Sequence, residues 1–176
     1  MPTPAHRSMR WMKRIGMVLG TLVVLLIVIP WLIGSLMERD HFAKQARVVP
    51  APIDKVWDSV SGFDELGAWA PDIAALERVE DVDGLPSYRM EGEDSVVTFT
   101  FTTVRAPREL SVEVRDSLDS YGGTWSYQLT EVDGGTRVEV SEDGWTDPPY
   151  FRFAFWVFGR DRTISRYLDA LVAKHQ

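Results

Sequence analysis

Few side chains in this sequence are arranged for chemistry, and the clearest of them is Glu142. Val138 and Val140 alternate with Arg137, Glu139 and Ser141. That two-residue period puts Glu142 on the apolar side of a strand, near its end. A carboxylate facing an enclosed interior can serve as a general base. The same residue could instead sit at the rim, solvated or paired with Arg152 or Arg89. Tyr88 and Tyr127 could each donate a hydrogen bond to a ligand, or be core aromatics with satisfied hydroxyls.

Other reactive groups are sparse. His6, His41 and His175 are scattered, and none has a second histidine at metal-ligand spacing. The chain has no cysteine, which excludes disulfides, thiolate metal sites and a cysteine nucleophile. There is no Gly-x-Ser-x-Gly elbow and no phosphate loop. No metal and no other cofactor is expected. The net charge of −7 does not suit nucleic acid, whose phosphates need clustered Lys and Arg. From these residues alone catalysis has little support.

The elements that would carry these groups follow from periodicity. Residues 42–49 suit a first strand, stopped by Pro50. Ile53, Val56, Trp57 and Val60 recur at helical spacing, with Pro52 suited to the first turn and Gly62 to the end. Residues 63–67 form a shorter helical piece, ended at Trp69-Ala70-Pro71. Residues 74–80 and 87–91 are weaker strands. Strand 96–104 is clear: Val97, Phe99, Phe101 and Thr103 share one face, and Thr98, Thr100 and Thr102 the other. Leu110, Val112 and Val114 alternate with polar residues, as do Trp125, Tyr127 and Leu129. A turn at Asp133-Gly134-Gly135 precedes the strand of Val138 and Val140. Strands with one apolar face need a cover on that side. One long helix from Pro148/Pro149 to about Lys174 supplies it, with a stripe of Ile164, Tyr167, Leu168, Leu171 and Val172. The expected layout is α+β.

The amino terminus is of another kind. Residues 15–37 carry no charge, and at about 1.5 Å per residue a helix of that length crosses a roughly 30 Å hydrocarbon core. Arg7, Arg10, Lys13 and Arg14 precede it, and Glu38, Arg39 and Asp40 follow. The positive-inside rule then puts residues 1–14 in the cytoplasm as a basic tail and residues 38–176 outside it, with a single pass through the cell (inner) membrane over 15–37. Trp11 and Trp31 lie near the two ends of the span. A cleaved signal peptide and a buried helix are the competing readings; the run is long for a signal, and no Ala-x-Ala site follows. Residues 38–176 hold 15 basic and 26 acidic side chains, a net −11, by subtracting the four bases of the tail from the 19 of the chain. Such a domain is repelled by an anionic bilayer.

The order of these elements resembles the START-like superfamily of polyketide cyclase/dehydrase and lipid-transport domains, often labelled SRPBCC, with its helix-grip fold. The resemblance rests on Val49-Pro50-Ala51-Pro52-Ile53-Asp54-Lys55-Val56-Trp57, Phe63-Asp64-Glu65-Leu66 and Trp69-Ala70-Pro71-Asp72-Ile73. Gly122-Gly123-Thr124-Trp125, Gly135-Thr136-Arg137-Val138, Glu142-Asp143-Gly144 and Phe158-Gly159 complete it. It spans about residues 40–174. It implies a curved antiparallel sheet around a long terminal helix, with a cavity between them for a hydrophobic molecule; no catalytic residue pattern carries over. Trp57, Trp69, Tyr88, Phe99, Phe101, Trp125, Tyr127 and Phe155 are the candidate lining, although such residues also make a filled core.

Residues 150–158 are apolar nearly all round, through Phe151, Phe153, Phe155, Trp156 and Phe158. Burial under loops is one account of them, and contact with a membrane is another. The expected function is membrane-tethered binding or transport of a hydrophobic small molecule or lipid. The alternative is a cyclase/dehydratase-like enzyme acting on an enclosed aromatic or apolar substrate. A third reading, an interaction module on the outer sheet face, is disfavoured by the solvated pattern of Thr98, Thr100, Thr102, Glu109, Glu113 and Glu139.

Overall fold

The computed structural model describes residues 4–70, 73–74, 76–91, 95–159 and 161–176. Pro71 and Asp72 lie outside the described residues, as do the side chains of His6, Arg7, Arg10 and Lys13. Helix α1 (Pro4–Ser35) leads into β1 (Asp40–Val49), α2 (Ile53–Ser61) and a 3-10 turn (Phe63–Ala68). Then come β2 (Leu76–Arg78), β3 (Ser87–Glu91), β4 (Val96–Arg105), β5 (Glu109–Asp116), β6 (Tyr121–Val132) and β7 (Gly135–Thr146). Helices α3 (Pro149–Phe158) and α4 (Arg162–Lys174) close the chain.

The seven strands form one antiparallel sheet in the order β1-β7-β6-β5-β4-β3-β2. Strands β2 to β7 pair with their sequence neighbours, and β1 comes back to pair with β7. Each strand turns its apolar side the same way. Val49, Phe101, Leu110, Val112, Tyr127, Leu129, Val138 and Val140 are all buried there. Helix α4 covers them with Ile164, Tyr167, Leu168 and Leu171, the expected stripe, and α2 adds Ile53, Val56 and Val60. Each such aliphatic side chain contributes about 1.5–3 kcal/mol by leaving water. This α+β, helix-grip arrangement is the fold expected from the strand periods.

Three expectations are corrected by the structure. The terminal helix is two helices rather than one, and only the second covers the sheet. Gly159 breaks the run with φ +91°, on the left-handed side where side-chain-bearing residues are disfavoured. Strand β4 also carries an irregularity between Phe101 and Thr103, so Thr103 pairs with Ser111 and the face shared by Val97, Phe99 and Phe101 stops before it. The first strand begins two residues earlier than its apolar pattern, at Asp40, because its ladder with β7 continues to the Asp40–Trp145 pair.

In α1, the stretch Arg14–Ser35 is long and apolar enough to cross a membrane, and none of its most apolar window is buried. Its packing partner is α3.

Candidate ligand-binding site

A cavity of about 260 Å³ lies between the concave face of the sheet and the terminal helices. It is just under the roughly 300–1,000 Å³ typical of small-molecule sites, so it suits a compact ligand. Its apolar wall includes Phe63, Leu66, Val97, Phe99, Val112 and Trp125. The rings come from separate elements and meet at angles: Phe63 and Phe99 centroids are 6.1 Å apart, Trp125 and Tyr167 6.1 Å, Trp125 and Tyr127 6.3 Å. Such tilted arrangements are the favoured geometry for aromatic pairs.

Three adjacent strands and one helix deliver polar groups to this apolar space. Glu142 on β7 points inward, as its parity requires, and stands across from Trp125 on β6. It is not paired with Arg152 or Arg89. Its partner is His41 of β1, with Nε2 3.6 Å from Glu142 Oε1 and both side chains largely shielded, at 11% and 20% exposure. This is an ion pair whenever the imidazole is protonated. Gly144 makes room for it: a Cβ there would lie 3.0 Å from the imidazole ring and 3.2 Å from the Glu142 carboxylate. The imidazole also lies beside the Phe155 ring, with centroids 6.0 Å apart and planes tilted by 39°.

Beside this pair are two buried phenols. Burial holds the Tyr127 hydroxyl proton on far above the ordinary tyrosine range; the neighbouring Tyr167 hydroxyl opposes this in part, and the negative charge of Glu142 adds a lesser push upward. Tyr167 is raised likewise by burial and by its neighbour Tyr127. The Tyr167 hydroxyl abuts Tyr127 but makes no well-formed hydrogen bond among the described residues. An orphaned buried hydroxyl costs about 1–3 kcal/mol, which an acceptor atom on a ligand would recover. The site therefore offers two neutral donors, one imidazole and one carboxylate inside a greasy wall. Among the described residues no group of His, Asp and Glu is placed to hold a metal ion.

Of the residues singled out from the sequence, Glu142, Phe99, Trp125, Tyr127 and Phe155 come together around the cavity. Trp57, Trp69, Tyr88 and Phe101 do not line it. Phe101 packs 4.8 Å from Phe63 within the core. Tyr88 stacks on the same ring and donates to Asp64 Oδ2 at 3.3 Å. Trp69 covers the outer side of Tyr167 beneath the Lys174 ammonium. Trp57, on α2, packs half-buried against the core. The sequence places Tyr167 only in the helix stripe and shows His41 only as a lone histidine. Its signal was present: Ala43 and Val49 are buried and share the parity of His41 along β1.

The family model for polyketide cyclase/dehydrase and lipid transport matches residues 41–176. The chain belongs to this family. Solved structures agree in fold. The Zhui aromatase/cyclase from Streptomyces sp. R1128 superposes with a TM-score of 0.65 at 16% identity, covering 77% of this chain and 93% of that one. Protein Ms6760 from Mycobacterium smegmatis gives 0.55 at 19% identity, over 77% and 90%. The di-domain ARO/CYC StfQ of the steffimycin biosynthetic pathway gives 0.60 at 11% identity, over 78% of this chain and 51% of its own length. No curated protein matches in sequence. At these identities the likeness is one of fold.

Proposed function

We propose that this family member is tethered to a membrane by α1, and that it encloses an apolar, carbonyl-bearing small molecule and moves a proton on it, as a cyclase or dehydratase does. The observation that carries this reading is the shielded His41–Glu142 pair beside the Tyr127 and Tyr167 hydroxyls in an otherwise apolar cavity. A carrier of inert lipid has no need of such a cluster, because buried polar groups cost stability unless they are satisfied.

The chemistry follows from the groups. A ligand carbonyl accepts a hydrogen bond from a tyrosine hydroxyl, which stabilises charge developing on that oxygen. A proton leaves the neighbouring carbon for Nδ1 of the neutral His41 imidazole, because Nε2 faces the Glu142 carboxylate, and that carboxylate balances the imidazolium that forms. The carbon's electron pair then attacks a second carbonyl, and the imidazolium returns its proton to the alkoxide. Loss of water from that alcohol would complete a dehydration. Aromatic walls favour a flat substrate, and excluding water protects the intermediate.

The test uses 1-tetralone, an apolar aromatic ketone, in deuterated buffer with the full chain in detergent micelles. Wild type should accelerate exchange of the hydrogens next to the carbonyl. Glu142→Gln and His41→Gln should each lower that rate by roughly 10²–10⁴-fold while leaving tetralone bound. Equal rates in all three proteins, with binding retained, would leave binding or transport without turnover as the function. That second reading is favoured by the predominance of Phe, Trp, Val and Leu in the wall.

A further inference from the structure

Helix α3 buries none of its own residues, yet it is the most apolar helix of the domain. Tyr150, Phe151, Phe155, Trp156, Val157 and Phe158 are all exposed. It does not fold under the loops near Trp69 or Tyr121. Instead it lies against α1, and three contacts fix it there. Gly34, the buried glycine near the end of α1, meets the Pro149 carbonyl so closely that no side chain could stand at that position. The Tyr150 hydroxyl donates to the Ile27 carbonyl at 3.0 Å. That carbonyl adjoins the one of Leu26, which Pro30 leaves without its helical donor. The Arg152 guanidinium donates to the Met37 carbonyl at 3.2 Å and to the Thr146 carbonyl at 2.8 Å, tying the end of α1 to the end of β7.

We propose that α3 is embedded in the lipid bilayer beside α1, and that the cavity opens past Phe155 onto the acyl chains. This rests on the reading above that α1 crosses a membrane. Ile27 lies eight residues before Ser35, about 12 Å along the helix axis. A hydrogen bond to Ile27 therefore draws Tyr150 well below the membrane surface, where a hydroxyl needs a partner of this kind. The remaining aromatic surface of α3 continues the lipid-facing surface of α1, which answers what covers it. Charge supports the same occupant. The domain's net −11 keeps it from adsorbing by attraction to anionic headgroups, so contact must be made through apolar surface. Phe155 belongs to both sides: it is 37% exposed on α3 and also lines the cavity against His41. Tyr121 and Thr146, paired across β6 and β7, line the cavity too. A ligand apolar enough for this cavity partitions into the bilayer and reaches the site without crossing water.

The absence of native cysteine makes the test direct. In the full chain reconstituted into phosphatidylcholine vesicles, an environment-sensitive dye is placed by Trp156→Cys, and in a second protein by Glu113→Cys on the exposed sheet face. Nitroxide-bearing acyl chains should quench the dye at 156 several-fold more than the dye at 113, while aqueous iodide should do the reverse. Iodide quenching at 156 equal to that at 113, or self-quenching between labelled copies, would overturn the proposal, the latter in favour of a second copy of this chain. A second measurement follows 1-aminoanthracene moving from vesicles into the cavity. Phe151→Glu with Trp156→Glu should slow this transfer by at least about tenfold, with micellar binding of the probe unchanged, because charge on a lipid face is costly. Unaltered transfer would refute the route through lipid. Absence of probe binding in wild-type micelles would instead refute the enclosed cavity, while the quenching result would still decide the embedding of α3.

Discussion

Helices α3 and α4 are neighbours in sequence, separated by three residues, and are built on different principles. In α4 the apolar residues recur every third or fourth position, and Ile164, Tyr167, Leu168 and Leu171 all vanish into the core. In α3 they surround the axis, and none is buried within the domain. A stripe can be satisfied by one sheet. An apolar surface on all sides needs a second apolar medium, which the proposal above supplies as the bilayer around α1. Gly159, between the two, lets the chain leave one environment for the other.

The largest effect that separates the two helices should come from Leu168→Ala. Leu168 is fully buried, and its loss should cost about 2–5 kcal/mol in chemical unfolding of the full chain in micelles. Trp156→Ala, although it removes a larger apolar side chain, should change that stability by less than about 0.5 kcal/mol. Comparable losses would mean that α3 is held by the domain after all.

Gly159→Ala tests the joint. At φ +91° and ψ 133° a methyl group is strained, and roughly 1–3 kcal/mol should be lost. If thermal unfolding of this variant matches wild type, the break between the helices is not set by backbone conformation.

Tyr167→Phe sharpens the contrast from the α4 side, because its sign should differ between empty and loaded protein. Removing the orphaned hydroxyl should leave the ligand-free protein as stable, or more stable by up to about 1 kcal/mol, and should weaken 1-tetralone by a similar amount. A loss of stability without a change in affinity would show that the hydroxyl is satisfied within the fold.

The smallest effect lies at the end of α4. His175 Nε2 is 3.0 Å from the Ser59 hydroxyl, and burial, with a lesser push from Lys174, lowers its pKa below the usual imidazole value. The folded state thus prefers the neutral ring, while the unfolded chain takes up its proton near pH 6.5. This contribution to stability is complete above that value and declines as pH falls through the lower folded pKa. A modest fall in thermal stability on acidification should disappear in His175→Asn. Persistence of the full slope would assign it to other groups.

Much of this was legible in the residues themselves. Alternation in β4 to β7 is a local property, so the inward faces of Val112, Tyr127, Val140 and Glu142 could be read directly. Phe101 and Tyr88 share that inward face with Phe99, and only packing decides that Phe63 fills their space while Phe99 borders a void. The irregularity after Phe101 was hidden because Thr103 continues the pattern of types while the pairing slips. His41 escaped because its neighbour in the site, Glu142, is about a hundred positions away, and the antiparallel pairing of β1 with β7 brings the two together.

What the sequence alone determined is what depends on near neighbours: a 23-residue uncharged span, amphipathic strands, a helical stripe and a net charge of −11 beyond residue 37. Periodicity and charge are sums over nearby positions, and they need no knowledge of the fold. The tertiary structure decided what depends on distant positions meeting. It joined β1 to β7 and so set His41 against Glu142. It left the Tyr167 hydroxyl without a partner among the described residues, and it laid α3 along α1 rather than on the sheet. Those outcomes come from chain closure and steric fit, where a missing side chain at Gly34 or Gly144 matters as much as any residue that is present.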